Sequence, residues 1–256
     1  MIDVNVSLFQ WPFRRLPHDD TASLVQKLQS AGVTQAWVGS FEAILHEDAD
    51  GVNRRLAEEC RTRGAGMLIP FGCVNPTLPD WKEDVRRCRE EYGMPGVRLH
   101  PNYHGYTLDS ELFAELLSAC ERHQLIVQIS ARMEDIRTQH PLVQVPDVDL
   151  NPLLELLPKY PSLKLVLLNS QRSLRAPLST QLAETGQVSF DIAMLEGIGG
   201  VGKFIREVPY QHVLFGSHFP FFYLESSLLK MKESDLGETI AMAIATGNAT
   251  PLLATE

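Results

Sequence analysis

The stretch GVRLHPNYHGYTLDSELFAELLSACERHQLIVQIS, residues 96–130, carries the pattern that decides the fold. Gly96–His100 is a short β-rich run, apolar apart from Arg98 and the terminal His100, and followed by Pro101. Ser110–His123 has the helical period: Leu112, Phe113, Leu116, Leu117 and Cys120 fall on one stripe. Asp109 stands where an N-cap would accept a backbone N–H. Leu125–Ser130 is a second β-rich run, apolar on both faces as in a parallel strand covered on two sides. Strand, amphipathic helix, strand is the unit of a parallel sheet with right-handed crossovers.

The same alternation extends in both directions. β-rich runs fall at Ile2–Val6, Thr34–Gly39, Met67–Val74, Gly96–His100, Leu125–Ser130, Leu163–Asn169, Val188–Ile192 and Val213–Gly216. Helical windows follow them at Thr21–Ser30, Ala49–Arg63, Trp81–Tyr92, Ser110–His123, Asn151–Lys159, Leu174–Glu184, Ile198–Glu207 and Leu224–Met231. Eight such units in 256 residues favour closure into a (β/α)8 TIM barrel of the α/β class over an open doubly wound sheet. Residues 1–256 read as one domain, with no linker or low-complexity segment. No G-x-G-x-x-G follows a strand and no Walker A sequence occurs. Gly197–Gly202 (GIGGVG) invites a phosphate-loop reading but lacks the Lys-Ser/Thr pair, so a flexible loop explains it better. The longest irregular stretch, Ala131–Asp149, would lie over the active-site face. The tail Asp235–Glu256 reads as helical with a break at Thr250-Pro251.

Composition narrows the function classes. With 23 Lys+Arg against 32 Asp+Glu, the net charge of −9 argues against nucleic acid as the main partner. The most apolar runs are strand-length, so no membrane span is expected. Cys60, Cys73, Cys88 and Cys120 form no C-x-x-C pair, and sparse cysteines with no signal peptide point to the cytoplasm. Some apolar outer-face positions leave homo-oligomer formation open.

In a TIM barrel, chemistry sits at the C-terminal ends of the strands. The polar residues there include Asn5 within the first run and Ser7 just after it, Ser40 and Glu42 after the second, Asn75 after the third, Arg98, His100, Asn102 and His104 at the fourth, and Gln128, Ser130 and Arg132 at the fifth. Asn169 and Arg172 follow the sixth, Asp191 lies in the seventh, and His218 follows the eighth. Arg98, Arg132 and Arg172 could offer forks to a small anionic molecule, a carboxylate or phosphate. Arg132 and Arg172 could equally pair with rim carboxylates. Arg98, inside an apolar strand, needs an anionic partner, for which Asp191 is placed. His218 is the best acid/base candidate and His100 the second, since histidine moves protons near neutral pH. His218 could instead be a neutral pocket histidine that only donates to a ligand or the backbone, and His100 a structural histidine that satisfies a loop carbonyl. Phe219, Phe221, Phe222 and Tyr223, with Phe9, Trp11 and Phe13, could wall the pocket or pack the rim.

The segments IDVNVS (2–7), GVRLHPNYHGYTLD (96–109), LKLVLLNS (163–170), VLFGSHFPF (213–221) and TGNATPLL (246–253) together resemble the amidohydrolase superfamily, in its amidohydrolase-related (family 2) branch. The resemblance spans essentially the whole chain and implies a TIM-barrel hydrolase, lactonase or decarboxylase with a divalent metal. In that family the metal ligands are an H-x-H pair ending strand one, a His after strand five, a His after strand six and an Asp after strand eight. Here those places read Asn5-Val6-Ser7, Ser130, Asn169 and His218. Neutral amides and hydroxyls are poor substitutes for imidazoles and carboxylates, so no metal and no other cofactor are expected. A relocated site using His100, His104 and His218 would have to form beside the cationic Arg98.

Three functions follow. The first is a metal-independent amidohydrolase-like hydrolase, lactonase or decarboxylase of a small carboxylated substrate. His218 and His100 would be catalytic, and Arg98, Arg132, Asn5, Ser7, Ser130, Asn169, Arg172 and Asp191 would hold the substrate. The second is a non-catalytic barrel that binds a small anion or a partner. The third is a metal-dependent hydrolase with relocated ligands.

Overall fold

The computed structural model describes residues 1–254, in which eight parallel strands alternate with helices. The strands are β1 (Ile2–Leu8), β2 (Gln35–Ser40), β3 (Leu68–Gly72), β4 (Gly96–Leu99), β5 (Ile126–Ser130), β6 (Leu165–Leu168), β7 (Val188–Asp191) and β8 (Val213–Leu214). Their order in the sheet is their order in the chain. Beyond β8 the chain returns to β1: Val4 N donates to Phe215 O at 3.0 Å, Ser7 N donates to Phe219 O at 3.0 Å, and Val6 bridges Phe219. The ring is therefore nearly closed, and the fold is the (β/α)8 TIM barrel that the alternation predicts.

The principal helices are α1 (Thr21–Ser30), α2 (Ala49–Arg63), α3 (Trp81–Glu90), α4 (Pro101–His104), α5 (Glu111–Arg122), α6 (Leu153–Leu156), α7 (Leu178–Glu184), α8 (Gly200–Phe204) and α9 (Leu224–Glu233). α5 buries Phe113, Leu116, Leu117, Ala119 and Cys120, while Leu112 is exposed. The stripe is the i, i+3, i+4, i+7 set from Phe113, and Leu112 lies about 100° around the helix from it. Ser110, not Asp109, is the N-cap: its side chain accepts from Phe113 N, while Asp109 accepts from Thr107 Oγ1.

Three helical windows shorten. Leu174–Glu184 becomes helical only from Leu178, after Pro177. Ile198–Glu207 contracts to α8, because Gly197 and Gly199 adopt positive φ and hold the chain in turns. Asn151–Lys159 becomes α6 plus a 3-10 turn at Leu157–Lys159, where Pro158 interrupts the α-helical ladder. The tail continues as α10 (Glu238–Met242), a π-turn at Ala243–Gly247 and α11 (Thr250–Leu253). Thr250-Pro251 thus starts a helix, since proline is tolerated in a first turn. Thr255 and Glu256 lie outside the described residues. No described helix is long and apolar enough to cross a membrane.

The barrel interior has an apolar floor and a polar upper part. Val4, Trp37, Phe71, Ile126, Val166, Leu168 and Leu214 form the floor cluster. Above it, Arg98 leans across the barrel past Gly39, where an added Cβ would lie 2.8 Å from Arg98 Cδ. Gly216 does the same for Asp191, whose Cβ would lie 2.8 Å from an added Cβ. Outward strand residues such as Val97, Leu99, Val127 and Ile129 pack with the inner faces of the helices in the main core.

Candidate active site

β1, β6, β7 and the turn after β8 bring four side chains together at the barrel axis. Asn5 Nδ2 donates to Asn169 Oδ1 at 2.8 Å and to Asp191 Oδ2 at 2.6 Å. Asn169 N donates to Asp191 Oδ1 at 2.9 Å. Asn169 Nδ2 reaches Arg132 O at 2.8 Å and His218 Nδ1 at 3.3 Å. His218 Nε2 lies 2.7 Å from Met133 O. A carbonyl only accepts, so Nε2 carries the hydrogen and Nδ1 the lone pair that receives the Asn169 N–H. Burial pushes His218 down to about 4, so the ring is neutral at neutral pH. Asn169 and His218 both have φ of 58°, a left-handed conformation uncommon outside glycine, in which asparagine and histidine are enriched among the other residues. Such backbone outliers concentrate at functional sites.

Below this network lies a buried charge cluster. Arg98 Nε donates to Gln128 Oε1 at 2.8 Å, Nη1 to Val6 O at 2.7 Å and Ser7 Oγ at 3.3 Å, and Nη2 to Trp37 O at 3.1 Å and Val4 O at 3.4 Å. A guanidinium has five N–H groups, and all five are matched by protein acceptors. Arg98 therefore has no donor left for a substrate acid group, and it makes no ion pair with Asp191, whose oxygens face Asn5 and Asn169. Burial lowers Arg98 to about 10, which leaves it protonated, and the fields of Asp3 and Asp191 favour that charge. Asp3 is a participant that strand-end reasoning missed. It accepts from Asn5 N and Ser217 N, and burial pushes it up to about 7. The signal was available: like Arg98, it is a charge inside an apolar strand. Asp191 is pushed up to about 6, again mainly by burial.

The other expected residues divide. Ser130 Oγ donates to Arg132 O at 3.3 Å, at the edge of the network. Arg132 grips Asp147 with two bonds of 2.6 and 2.5 Å, and Arg172 pairs with Asp135 at 2.9 Å and Glu196 at 3.2 Å. Both rim arginines thus neutralise rim carboxylates instead of converging on the axis. His100 is buried with Nδ1 unpartnered among the described residues, and burial holds its pKa well below the ordinary value.

An aromatic cluster covers the network. Phe221 stacks on His218 at 4.9 Å and meets Trp11 edge-on at 4.8 Å, and Trp11 also contacts Phe41, Phe13 and Tyr103. Trp11 Nε1 and Tyr103 OH are buried with no partner among the described residues. Arg14 lies over the Phe221 ring and bonds Glu134 at 2.6 Å, joining the loop after β1 to the loop after β5. Glu134, buried at 4%, is a second residue that the strand-end list did not contain, because it lies four residues beyond β5.

The amidohydrolase family profile matches residues 11–254. The chain belongs to the amidohydrolase family. No functionally curated protein matches it in sequence. Among solved structures, this amidohydrolase resembles a 2,6-dihydroxybenzoate decarboxylase complexed with 2,6-dihydroxybenzoate, with a TM-score of 0.74, 16% identity, and coverage of 98% of this chain and 99% of the other. It resembles the 5-carboxyvanillate decarboxylase of Sphingomonas paucimobilis with a TM-score of 0.77, 13% identity, and coverage of 99% and 98%. A dihydroxybenzoic acid decarboxylase from Polaromonas sp. JS666, solved with manganese and 2-nitroresorcinol, gives a TM-score of 0.74, 14% identity, and coverage of 99% and 97%.

A divalent ion of the kind in that last structure does not fit the residues at this amidohydrolase's barrel axis. Asn5, Ser7, Ser130 and Asn169 are neutral, and the Asn5 and Asn169 amides are engaged with each other and with Asp191 and His218. Among the described residues, no group of three His, Cys, Asp or Glu is placed to hold a metal ion. Protonated Arg98 also occupies the space just below, where it would repel a cation.

Proposed function

We propose that this amidohydrolase processes a small carboxylated aromatic acid without a divalent ion, by hydrolysis or decarboxylation at the barrel axis. The observation that carries the reading is the set of buried, unpartnered polar atoms in the aromatic cover: Trp11 Nε1, Tyr103 OH and, at the start of α4, His100 Nδ1. Leaving a buried donor unpaired costs about 1–3 kcal/mol, so such a cluster fits a bound acceptor. A flat ring would lie against Phe41 and Phe221, and its carboxylate would take the Trp11 and Tyr103 donors. The aromatic-acid substrates named for the structural neighbours agree with that shape. This assignment replaces Arg98 as the carboxylate anchor.

His218 is the proton-transferring group. In hydrolysis, once Asn169 turns aside, Nδ1 takes a proton from the water that adds to the carbonyl, the N–H that Asn169 withdraws from Nδ1 polarises that carbonyl, and the imidazolium returns the proton to the oxygen of the acyl–oxygen bond that breaks. In decarboxylation, CO2 leaves, the electron pair of the broken C–C bond stays on carbon, and that carbon takes a proton relayed from solvent by His218. A second reading, binding without turnover, is favoured by one observation: Asn169 occupies the lone pair of His218.

The test uses chelator-treated protein with a panel of hydroxybenzoates and aromatic lactones. CO2 release or ring opening is expected, with at least a hundredfold loss in His218→Asn while binding persists. Turnover that appears only after a divalent metal is added would refute metal independence. Binding without turnover in the unmodified protein would favour the second reading.

A further inference from the structure

A cavity of about 300 Å3 lies off the barrel axis between the segment after β6 and the segment after β7. Gln171, Arg172 and Arg175 line one side, and Glu196, Lys203 and Glu207 the other, over an apolar floor that includes Leu174 and Phe204. Two observations set it apart from an ordinary surface hollow. Gln171 is 5% exposed, and its Nε2 is buried with no partner among the described residues. Arg175 is anchored by one nitrogen only, Nη1 on Gln171 O at 2.5 Å, and it pairs with no carboxylate among the described residues. Lys203 likewise makes no ion pair there.

The charges around the cavity are unequal in availability. Arg172 is committed to Asp135 and Glu196. Glu207 makes no ion pair among the described residues and is the one carboxylate that opposes an anion. Against it stand Arg175 and Lys203, and Gln171, whose Nε2 has no partner among the described residues, lines the same cavity. Donors from three separate side chains suit a tetrahedral oxyanion better than a planar carboxylate, which a single guanidinium fork can satisfy.

We propose that this cavity is a second ligand site, distinct from the barrel mouth, that takes the phosphate group of a small phosphate monoester with Arg175, Lys203 and the buried Gln171 amide. The five-residue helix α8 contributes the Lys203 and Phe204 side chains, and its N-terminus plays no part. The apolar floor accepts the short organic body of the ester. The site is independent of the chemistry at His218.

The experiment is calorimetric titration of the full chain with inorganic phosphate, phenyl phosphate and acetate at fixed ionic strength. Saturable phosphate binding is expected, tighter for phenyl phosphate and at least tenfold weaker for acetate. Arg175→Gln and Lys203→Gln, both at exposed positions, should each weaken phosphate at least tenfold. Lys82→Gln, which removes a surface charge paired with Glu115, should leave it unchanged. Gln171→Leu should also weaken binding, and Arg175→Gln keeps the test valid if that buried substitution unfolds the protein. Absence of saturable phosphate binding would overturn the proposal, as would acetate binding as tightly as phosphate. An equal loss in Lys82→Gln and Arg175→Gln would reduce the effect to general surface charge and overturn it too.

Discussion

His218 concentrates the residue-scale physics of this protein. Its Nε2–H is fixed by Met133 O, its lone pair by Asn169, and its ring by stacking on Phe221. Burial lowers its pKa from 6.5 to about 4. A depressed folded-state pKa contributes stability that is present above pH 6.5 and lost as pH falls through about 4. The unmodified protein should therefore lose stability relative to His218→Asn across that window, by on the order of 3 kcal/mol at its lower end. Urea unfolding of both proteins from pH 7 to pH 4 measures it, and parallel curves would mean that His218 is not buried as a neutral ring. Asp3 and Asp191 act in the opposite sense. Their pKa values are raised by burial to about 7 and about 6, so their contribution is greatest below the unfolded value of 3.8 and is lost as pH rises through 6 to 7. Both proteins carry that background, so it cancels in the comparison. The residue types at these places could be read from the strand ends. Their partners could not, because Asn5 meets Asn169 and Asp191 across 164 and 186 residues of chain.

At the scale of elements, the segments that follow β1 and β5 are held together over the mouth. Arg14 bonds Glu134, and Thr138 Oγ1 reaches the same carboxylate at 3.5 Å. The Arg14 side chain is 43% exposed, so solvent weakens the pair, while Glu134 is buried and would keep only the long Thr138 contact without it. Arg14→Gln is expected to cost about 1–2 kcal/mol locally and to speed amide exchange across Ala131–Asp149 about tenfold. Hydrogen exchange resolved by peptide reads this directly, and unchanged protection would show that the cover does not depend on the pair. The long segment after β5 was legible as a gap in the periodicity. Its seat over the axis came from Met133 O and Glu134, and nothing in the local sequence marks either as an inward contact. Likewise, Arg132 and Arg172 were readable as loop arginines with two outcomes, and the neighbouring Asp147, Asp135 and Glu196 decided for the rim.

For the whole molecule, the donor set at the axis predicts how it responds to metal. A site filled to a hundred times its Kd would add about 2.7 kcal/mol, roughly 5–10 °C in a chain of this size. Thermal melts with and without millimolar Mn2+ or Zn2+ are expected to agree within about 1 °C, scaled from the same relation. A saturable rise of several degrees would reveal ligands that the axis network does not contain. The sequence by itself determined the barrel. Alternating periods of two and 3.6 residues, repeated eight times, state which faces each element must bury, and burial of those faces leaves few other topologies. It also determined which polar residues stand at the strand ends. Only the tertiary structure decided how they are used. Arg98 spends all five donors on backbone carbonyls and on Ser7 and Gln128, Asn169 fills the lone pair of His218, and the unpartnered donors fall to Trp11 and Tyr103 in the aromatic cover. Hydrogen bonds need partners within about 3 Å and in line. Periodicity places a side chain on a face, and only the closing of the ring brings faces from distant strands to that distance.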